Sequence, residues 1–212
     1  DDDGSGLVVH DEQLSRTIIA GTFSCDQTLI GNNLLDGSNN IMNQFVASYD
    51  SNGSCLWASS ASGFDIRFVS LLASSESTVS VFGSAITSGI SFHTVQPVSL
   101  PTGGFIAKYS ADGTFLDAQR ILVNGEFVNA SWTGADTWVL TGAARPNATL
   151  YGTPLETLSL QSDAFIAKTD TTGTVAWIRM LPSHGFAKAV HGASLPNERT
   201  MVCGYFRTDL LL

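Results

Sequence analysis

Basic residues are scarce in this sequence: ten Lys plus Arg stand against nineteen Asp plus Glu in 212 residues, a formal net charge of -9. Such a chain repels a phosphate backbone and has no basic stripe to track one, which excludes nucleic-acid binding. Long apolar runs are also missing. No window approaches the roughly 20 uninterrupted apolar residues that a membrane span needs, and the first residues show no basic-then-apolar leader. The chain therefore reads as soluble, and because a processed leader leaves no trace, the reading does not argue for the cytosol. Cysteine is limited to Cys25, Cys55 and Cys203, with no C-x-x-C spacing for zinc or redox work. Cys55 and Cys203 fall in apolar strand patterns and read as small buried hydrophobes, so any bridge should involve Cys25.

The motifs of common chemistries are absent too. There is no H-E-x-x-H, no G-x-S-x-G elbow, no Walker loop and no G-x-G-x-x-G between strand and helix, and no cofactor or metal is expected. Arg67, His93, Asp117, Arg120, Glu126, His184 and His191 are the polar departures from an otherwise regular pattern, and no two of them form a known motif. His184 and His191, seven residues apart with no carboxylate at ligand spacing, read as surface residues. The opening Asp1-Asp2-Asp3-Gly4-Ser5-Gly6 reads as a flexible solvated start, with a calcium loop as its alternative.

What the sequence does have is apolar residues at 43%, charged residues at only 14%, twenty glycines, and a repeat. The apolar share can fill a real core, and the composition suits short strands joined by many turns. Phe45-Val46-Ala47-Ser48-Tyr49-Asp50 recurs as Phe105-Ile106-Ala107-Lys108-Tyr109-Ser110 and as Phe165-Ile166-Ala167-Lys168-Thr169-Asp170, sixty residues apart each time. Eight residues beyond each Phe stands Gly53, Gly113 or Gly173, in Asn-Gly, Asp-Gly and Thr-Gly pairs that predict hairpin turns. Asp50 and Asp170 sit where an Asx cap would stabilise such a turn. A second strand follows, with Trp57 and Trp177 in register and Asp117 at the corresponding place in the middle copy.

A further strand recurs four times and ends at Gly21, Gly83, Gly142 and Gly204, where the β-branched content predicts a strand and the glycine a bend or close approach. A fourth, weaker strand is expected through Thr28-Leu29-Ile30, Ser91-Phe92-His93 and Thr149-Leu150-Tyr151. Four short antiparallel strands per sixty residues is the content of one propeller blade. Blade faces are covered by neighbouring blades, which accounts for continuous apolar runs where a half-exposed sheet would alternate.

The fold expected is all-β: a partial β-propeller of about 3.5 four-stranded antiparallel blades. Residues 1–16 form an acidic start and edge strand, followed by repeats at approximately 17–77, 78–136 and 137–199 and a partial one at 200–212. Three and a half blades leave open edges, so the chain reads as a piece of a longer polypeptide, or as one completed by a second copy or another chain. A linear β stack is the alternative.

The motif D-A-F-I-A-K-x-D-x-x-G-T-x-x-W at Asp163 to Trp177, followed some 25 residues later by a T-x-V-x-G strand, resembles the SBBP-type β-propeller repeat. Ser48, Ser110 and Asp117 depart from that pattern. The resemblance implies a propeller building block without an assigned activity, in an exported or cell-surface protein.

The function read from this is a non-catalytic structural and interaction scaffold, with a protein partner or further blades completing the ring. A propeller lyase or glycoside hydrolase with an incomplete site, and a glycan-binding module, are the alternatives. Sequons at Asn52, Asn129 and Asn147 are candidate glycosylation sites, Asn52 foremost because it lies at a hairpin tip.

Overall fold

The computed structural model describes residues 6–38, 41–73, 78–87, 89–94, 98–133, 137–158, 160–195 and 199–207. Both the acidic opening at residues 1–5 and the apolar ending Asp209-Leu210-Leu211-Leu212 lie outside them. The described chain is all-β, and no helix in it is long and apolar enough to cross a membrane. It divides into two compact units, Asp1–Gln119 and Arg120–Leu212.

The first unit opens with β1 (Leu7–Asp11) and β2 (Arg16–Phe23), followed by β3 (Gln27–Ile30) and β4 (Asn33–Asp36). Then come β5 (Asn43–Tyr49) and β6 (Cys55–Ser62). Strands β1-β2-β5-β6 form an antiparallel meander, while β3 and β4 pair only with each other as an inserted hairpin. A second meander begins with β7 (Ile66–Ala73) and β8 (Val79–Ala85) and is interrupted by a hairpin of β9 (Ile90–Phe92) and β10 (Val98–Leu100). It resumes with β11 (Gly103–Tyr109) and the first residues of β12 (Phe115–Trp132).

The β9–β10 hairpin does not stay with its own meander. β9 adds to the edge of β6, with Ala61 opposite Phe92 and Ser62 opposite Ser91, and so covers an edge that would otherwise be open. The two meanders pack together through β7, which lies against β1, β2 and β5. Their shared core contains Ile18, Val46, Phe68, Val81, Phe92 and Phe105 among others. Burial on both faces explains the sequence of β8, whose seven residues are all buried, Ser80 and Ser84 included.

The second unit begins at Arg120, inside β12. It continues with β13 (Thr137–Leu150), β14 (Thr153–Pro154), β15 (Asp163–Asp170) and β16 (Val175–Leu181), and ends in β17 (Phe186–Leu195) and β18 (Arg199–Arg207). Strands β12-β13-β15-β16 make the third meander, with β14 a short addition to β13. β17 and β18 pair with each other, and β17 packs on β13 and β15. Ala187 and Ala189 meet Ala164 there, small residues that let the two layers approach closely.

Every meander repeats one register. Gly21, Gly83 and Gly142 stand directly opposite Phe45, Phe105 and Phe165 on the next strand. The ring of each Phe lies over the glycine, so that a Cβ there would come within 2.8, 2.4 and 2.8 Å of ring carbons. On the other side of Gly83, Gly142 and Gly204 the partner strand carries a β-bulge, at Phe68/Ser70, Phe127/Asn129 and Ala189/His191. A bulge deepens the local twist, and its repetition marks these strands as equivalent.

The fourth strand of each meander is therefore not the one expected from the sequence. Leu29, Phe92 and Leu150 do lie in or at the end of strands, but in the inserted hairpins or in the extension of β13. The fourth strand is instead β1, β7, β12 or β17, ahead of the glycine strand. Cys203 also differs from expectation. It lies on β18 and is exposed; Cys25, between β2 and β3, is exposed too, Cys55 is half-buried, and all three thiols are unbridged.

Candidate interaction site

The chain's recurring polar construction is the turn after the Phe strand, and at Gly113 it meets the preceding repeat. In all three copies the turn has the same bonds. The N–H of Asp50, Ser110 or Asp170 donates to the carbonyl of Ser54, Thr114 or Thr174, at 3.0, 2.9 and 3.0 Å. The glycine N–H donates back to residue 50, 110 or 170. Only the glycine has positive φ, at 80°, 85° and 96°, so each turn is a three-residue loop closed by a glycine bulge rather than a two-residue turn.

Asp50 Oδ1 accepts the Asn52 and Ser54 amides at 2.9 and 2.8 Å. Asp170 Oδ1 does the same for Thr172 and Thr174 and also accepts the Thr172 hydroxyl at 2.7 Å. Those bonds to the anion, the Thr172 hydroxyl foremost, hold the Asp170 carboxyl down at about 2. Ser110 takes the Asp position in the middle copy, and Asp112 caps from inside the loop instead. Its carboxylate accepts the Ser110 hydroxyl and the Thr114 amide, and these bonds lower its pKa.

Trp57 connects the first meander to the turn of the second. The indole is 7% exposed, lies against Gly113 so that a Cβ there would fall 2.4 Å from the ring, and donates Nε1–H to the Ala111 carbonyl at 3.0 Å. It also stacks on Tyr109 at 5.8 Å, and burial pushes the Tyr109 hydroxyl up to about 12. The same Ala111 carbonyl accepts Arg16 Nη1. Arg16 is buried and paired with Asp11 at 2.9 Å, and Asp11 in turn caps the β1–β2 turn through the Gln13 and Leu14 amides. One carbonyl of the second repeat is thus held by an indole and a guanidinium of the first.

Within the second unit, Gly173 meets an aromatic ring in the same way, but the ring belongs to Tyr151, whose carbons would lie 2.7 Å from a Cβ. Burial raises the Tyr151 pKa, and the nearby Asp170 charge adds to the effect. Tyr151 does for the turn at Gly173 what Trp57 does for the turn at Gly113. Asp117, at the Trp position of the middle copy, is exposed. Trp177 is half-buried and lines an open cleft of about 400 Å³ with Thr153, Pro154, Glu156, Ile178 and Met180.

The remaining polar departures serve local structure. Glu126 pairs with Lys188 at 2.7 Å, Arg67 pairs with Asp65 at 3.3 Å on the surface, and His184 and His191 are exposed. Arg120 is exposed as well. His93 lines a cleft of about 630 Å³ with Ser59, Thr94, Val98, Thr114 and Phe115. Its Nε2 is 2.7 Å from Ser62 Oγ, and its backbone N–H donates to the Ser60 carbonyl, so the side chain fastens the β9–β10 hairpin to β6. No group of three or more His, Cys, Asp or Glu that could hold a metal occurs among the described residues.

Of the sequons, Asn52 is exposed at its turn and Asn147 is exposed at a positive φ of 61° in β13. Asn129 is half-buried in β12, where its Oδ1 accepts the Gly192 amide at 3.3 Å. Sequence reasoning missed Asp11, Arg16 and Tyr151. A signal for the missed strand was present: Val69, Val128 and Val190 each lie 14 residues before the repeat glycine, at the bulge. No protein-family model matches the chain, and no curated protein matches it.

Proposed function

We propose that this chain is a β-propeller segment of about 3.5 blades that acts as a non-catalytic structural and interaction scaffold in a larger chain or assembly. The observation that carries the reading is the junction of Trp57 and Arg16 on the Ala111 carbonyl. A polar clasp that joins successive copies of one four-stranded unit is what an array of mutually burying blades requires. A crystal structure at high resolution tests it. Successive Phe45 and Phe105 strands should be related to the Phe165 strand by a constant rotation about one axis, and a purely translational relation would overturn the propeller in favour of a linear stack.

Placement in a secreted or surface-exposed protein rests on the resemblance of Asp163 to Trp177 to the SBBP-type repeat and on the exposed sequon at Asn52. Expression through a eukaryotic secretory route should give a glycosidase-sensitive mass increase that Asn52→Gln diminishes. Asn129→Gln should leave that increase unchanged, because its side chain is engaged in a paired strand. Retention of the unglycosylated chain inside the cell would count against this location.

A further inference from the structure

In the first unit, a cleft of about 630 Å³ runs between the outer strand of one repeat and the turn of the next. β6 gives it Ser59, the residues after β9 give it His93 and Thr94, and the Gly113 turn gives it Thr114, Phe115 and Leu116. Hydrogen bonds on both sides hold these walls in place. Trp57 Nε1–H fixes the turn through the Ala111 carbonyl at 3.0 Å. His93 is fixed twice, by its backbone N–H on the Ser60 carbonyl at 3.0 Å and by Nε2 at 2.7 Å from Ser62 Oγ. A site whose polar groups are positioned before a ligand arrives loses little freedom on binding.

The chemistry of the lining selects the ligand. Among the described residues no Lys, Arg, Asp or Glu lines the cleft, so a phosphate, a carboxylate or a metal ion finds no charged partner in it. Asp112 and Asp117, beside Gly113 and Leu116 in the chain, are exposed, and their charges disfavour an anion further. What the cleft offers is neutral. The hydroxyls of Ser59, Thr94 and Thr114 both donate and accept, and His93 Nδ1 has no hydrogen-bond partner among the described residues. Phe115 and Leu116 add an apolar wall, with Leu116 53% exposed.

From this combination we infer that the cleft is a saccharide-binding site. A pyranose ring carries no charge, bears hydroxyls around its rim that donate and accept, and presents C–H groups on its face. The rim hydroxyls bond to Ser59, His93, Thr94 and Thr114, and the C–H face lies on Phe115 and Leu116. The volume falls within the range of small-molecule sites, about 300–1,000 Å³. The inference goes beyond the scaffold reading by giving the chain a ligand. It needs only two successive repeats, whether rotation or translation relates them.

The test titrates the complete nitrogen-15-labelled chain with cellobiose, lactose and chitobiose in turn, each to about 20 mM, well above a dissociation constant of about 1 mM. At least one of the three should move the amide resonances of Thr94, Thr114 and Leu116 along a saturating curve. Leu116→Glu, at an exposed position, should weaken that binding by about tenfold or more, because it sets an unpaired charge against a neutral ring. Leu29→Glu, at a leucine 66% exposed and outside the cleft, should leave it unchanged. The absence of a saturable shift with all three sugars overturns the inference, as does binding that survives Leu116→Glu at full strength. Tetramethylammonium moving the same amides where the sugars do not would overturn it in favour of a cation site. A failed titration leaves the propeller reading standing, and a translational relation between repeats would leave the saccharide site standing.

Discussion

At the scale of single residues, the glycine opposite each Phe is subject to two different constraints. A Cβ on Gly21 would meet only the outer ring carbons of Phe45, at 2.8 and 2.9 Å, whereas one on Gly142 would fall 2.1 Å from the backbone carbonyl of Glu126. A ring edge can yield and a paired strand cannot. Gly21→Ala should therefore cost about 1–3 kcal/mol, the usual range for overpacking, and Phe45→Leu should recover about 1 kcal/mol of it in a double-mutant cycle. Gly142→Ala should cost more, with no recovery from Phe165→Leu. Urea titrations of the unsubstituted protein, the four single variants and the two double variants decide the matter, and equal coupling at both sites would refute the account. The turn carboxylates allow a second test at this scale. Because the Asp170 carboxyl is held at about 2, below its ordinary 3.8, its contribution is complete above the ordinary value and is lost as pH falls through about 2. Thr172→Val removes the largest cause, so the Asp170 carboxyl resonance in an NMR titration should move its midpoint upward, toward 3.8. An unmoved midpoint would mean that the hydroxyl does not set it.

At the scale of elements, the repeat was legible wherever one residue type does one physical job in every copy. Phe45, Phe105 and Phe165 with their turn glycines were readable because only glycine takes the positive φ the loop needs and only an aromatic covers the bare glycine opposite. An edge strand was expected within residues 1–16, where β1 lies, but the equivalent strands β7, β17 and the later part of β12 escaped notice because their residues answer to different neighbours. Phe68 packs at 6.1 Å from Phe105, whereas the corresponding Ala189 lies among alanines. Tyr151 was read only as the end of a weak recurring strand, because its contact with Gly173 is made from an inserted turn and by a residue type that the other copies of that strand do not share. The buried Asp11–Arg16 pair was equally hidden, since its purpose depends on the Ala111 carbonyl 95 residues away. That pair gives the prediction at this scale. Asp11→Asn keeps the turn cap but leaves a buried guanidinium without its anion, which should cost about 3–5 kcal/mol. Adding Arg16→Met should restore much of the loss, because the Ala111 carbonyl keeps its bond to Trp57. Thermal unfolding of the two proteins distinguishes this from a surface-type pair, for which both changes would cost under about 1 kcal/mol.

At the scale of the whole molecule, repeats that contact only their neighbours have stabilities that follow how completely each is covered. The second meander is covered on both faces, as the continuous burial of β8 and β11 records. Among the described residues, β17 and β18 are held by Ala187 and Ala189 against Ala164, by Gly192 closely packed on Thr141 and Val139, and by the Lys188–Glu126 pair. These contacts bury small side chains, and at roughly 25 cal/mol per Å² of apolar area they stabilise less than the aromatic cluster around Phe105. Opening of β17–β18 should therefore precede global unfolding. In hydrogen exchange under increasing urea, amides of β18 should exchange through an opening of lower energy and smaller urea dependence than the global one, while those of β8 and β11 should wait for the global transition. Ala189→Gly, which thins the small-residue contact, should lower the first opening energy and leave the exchange of β8 untouched. If β18 and β8 instead merged into one isotherm at low urea, the chain would unfold as a single cooperative body and the repeat-by-repeat description of its stability would be wrong.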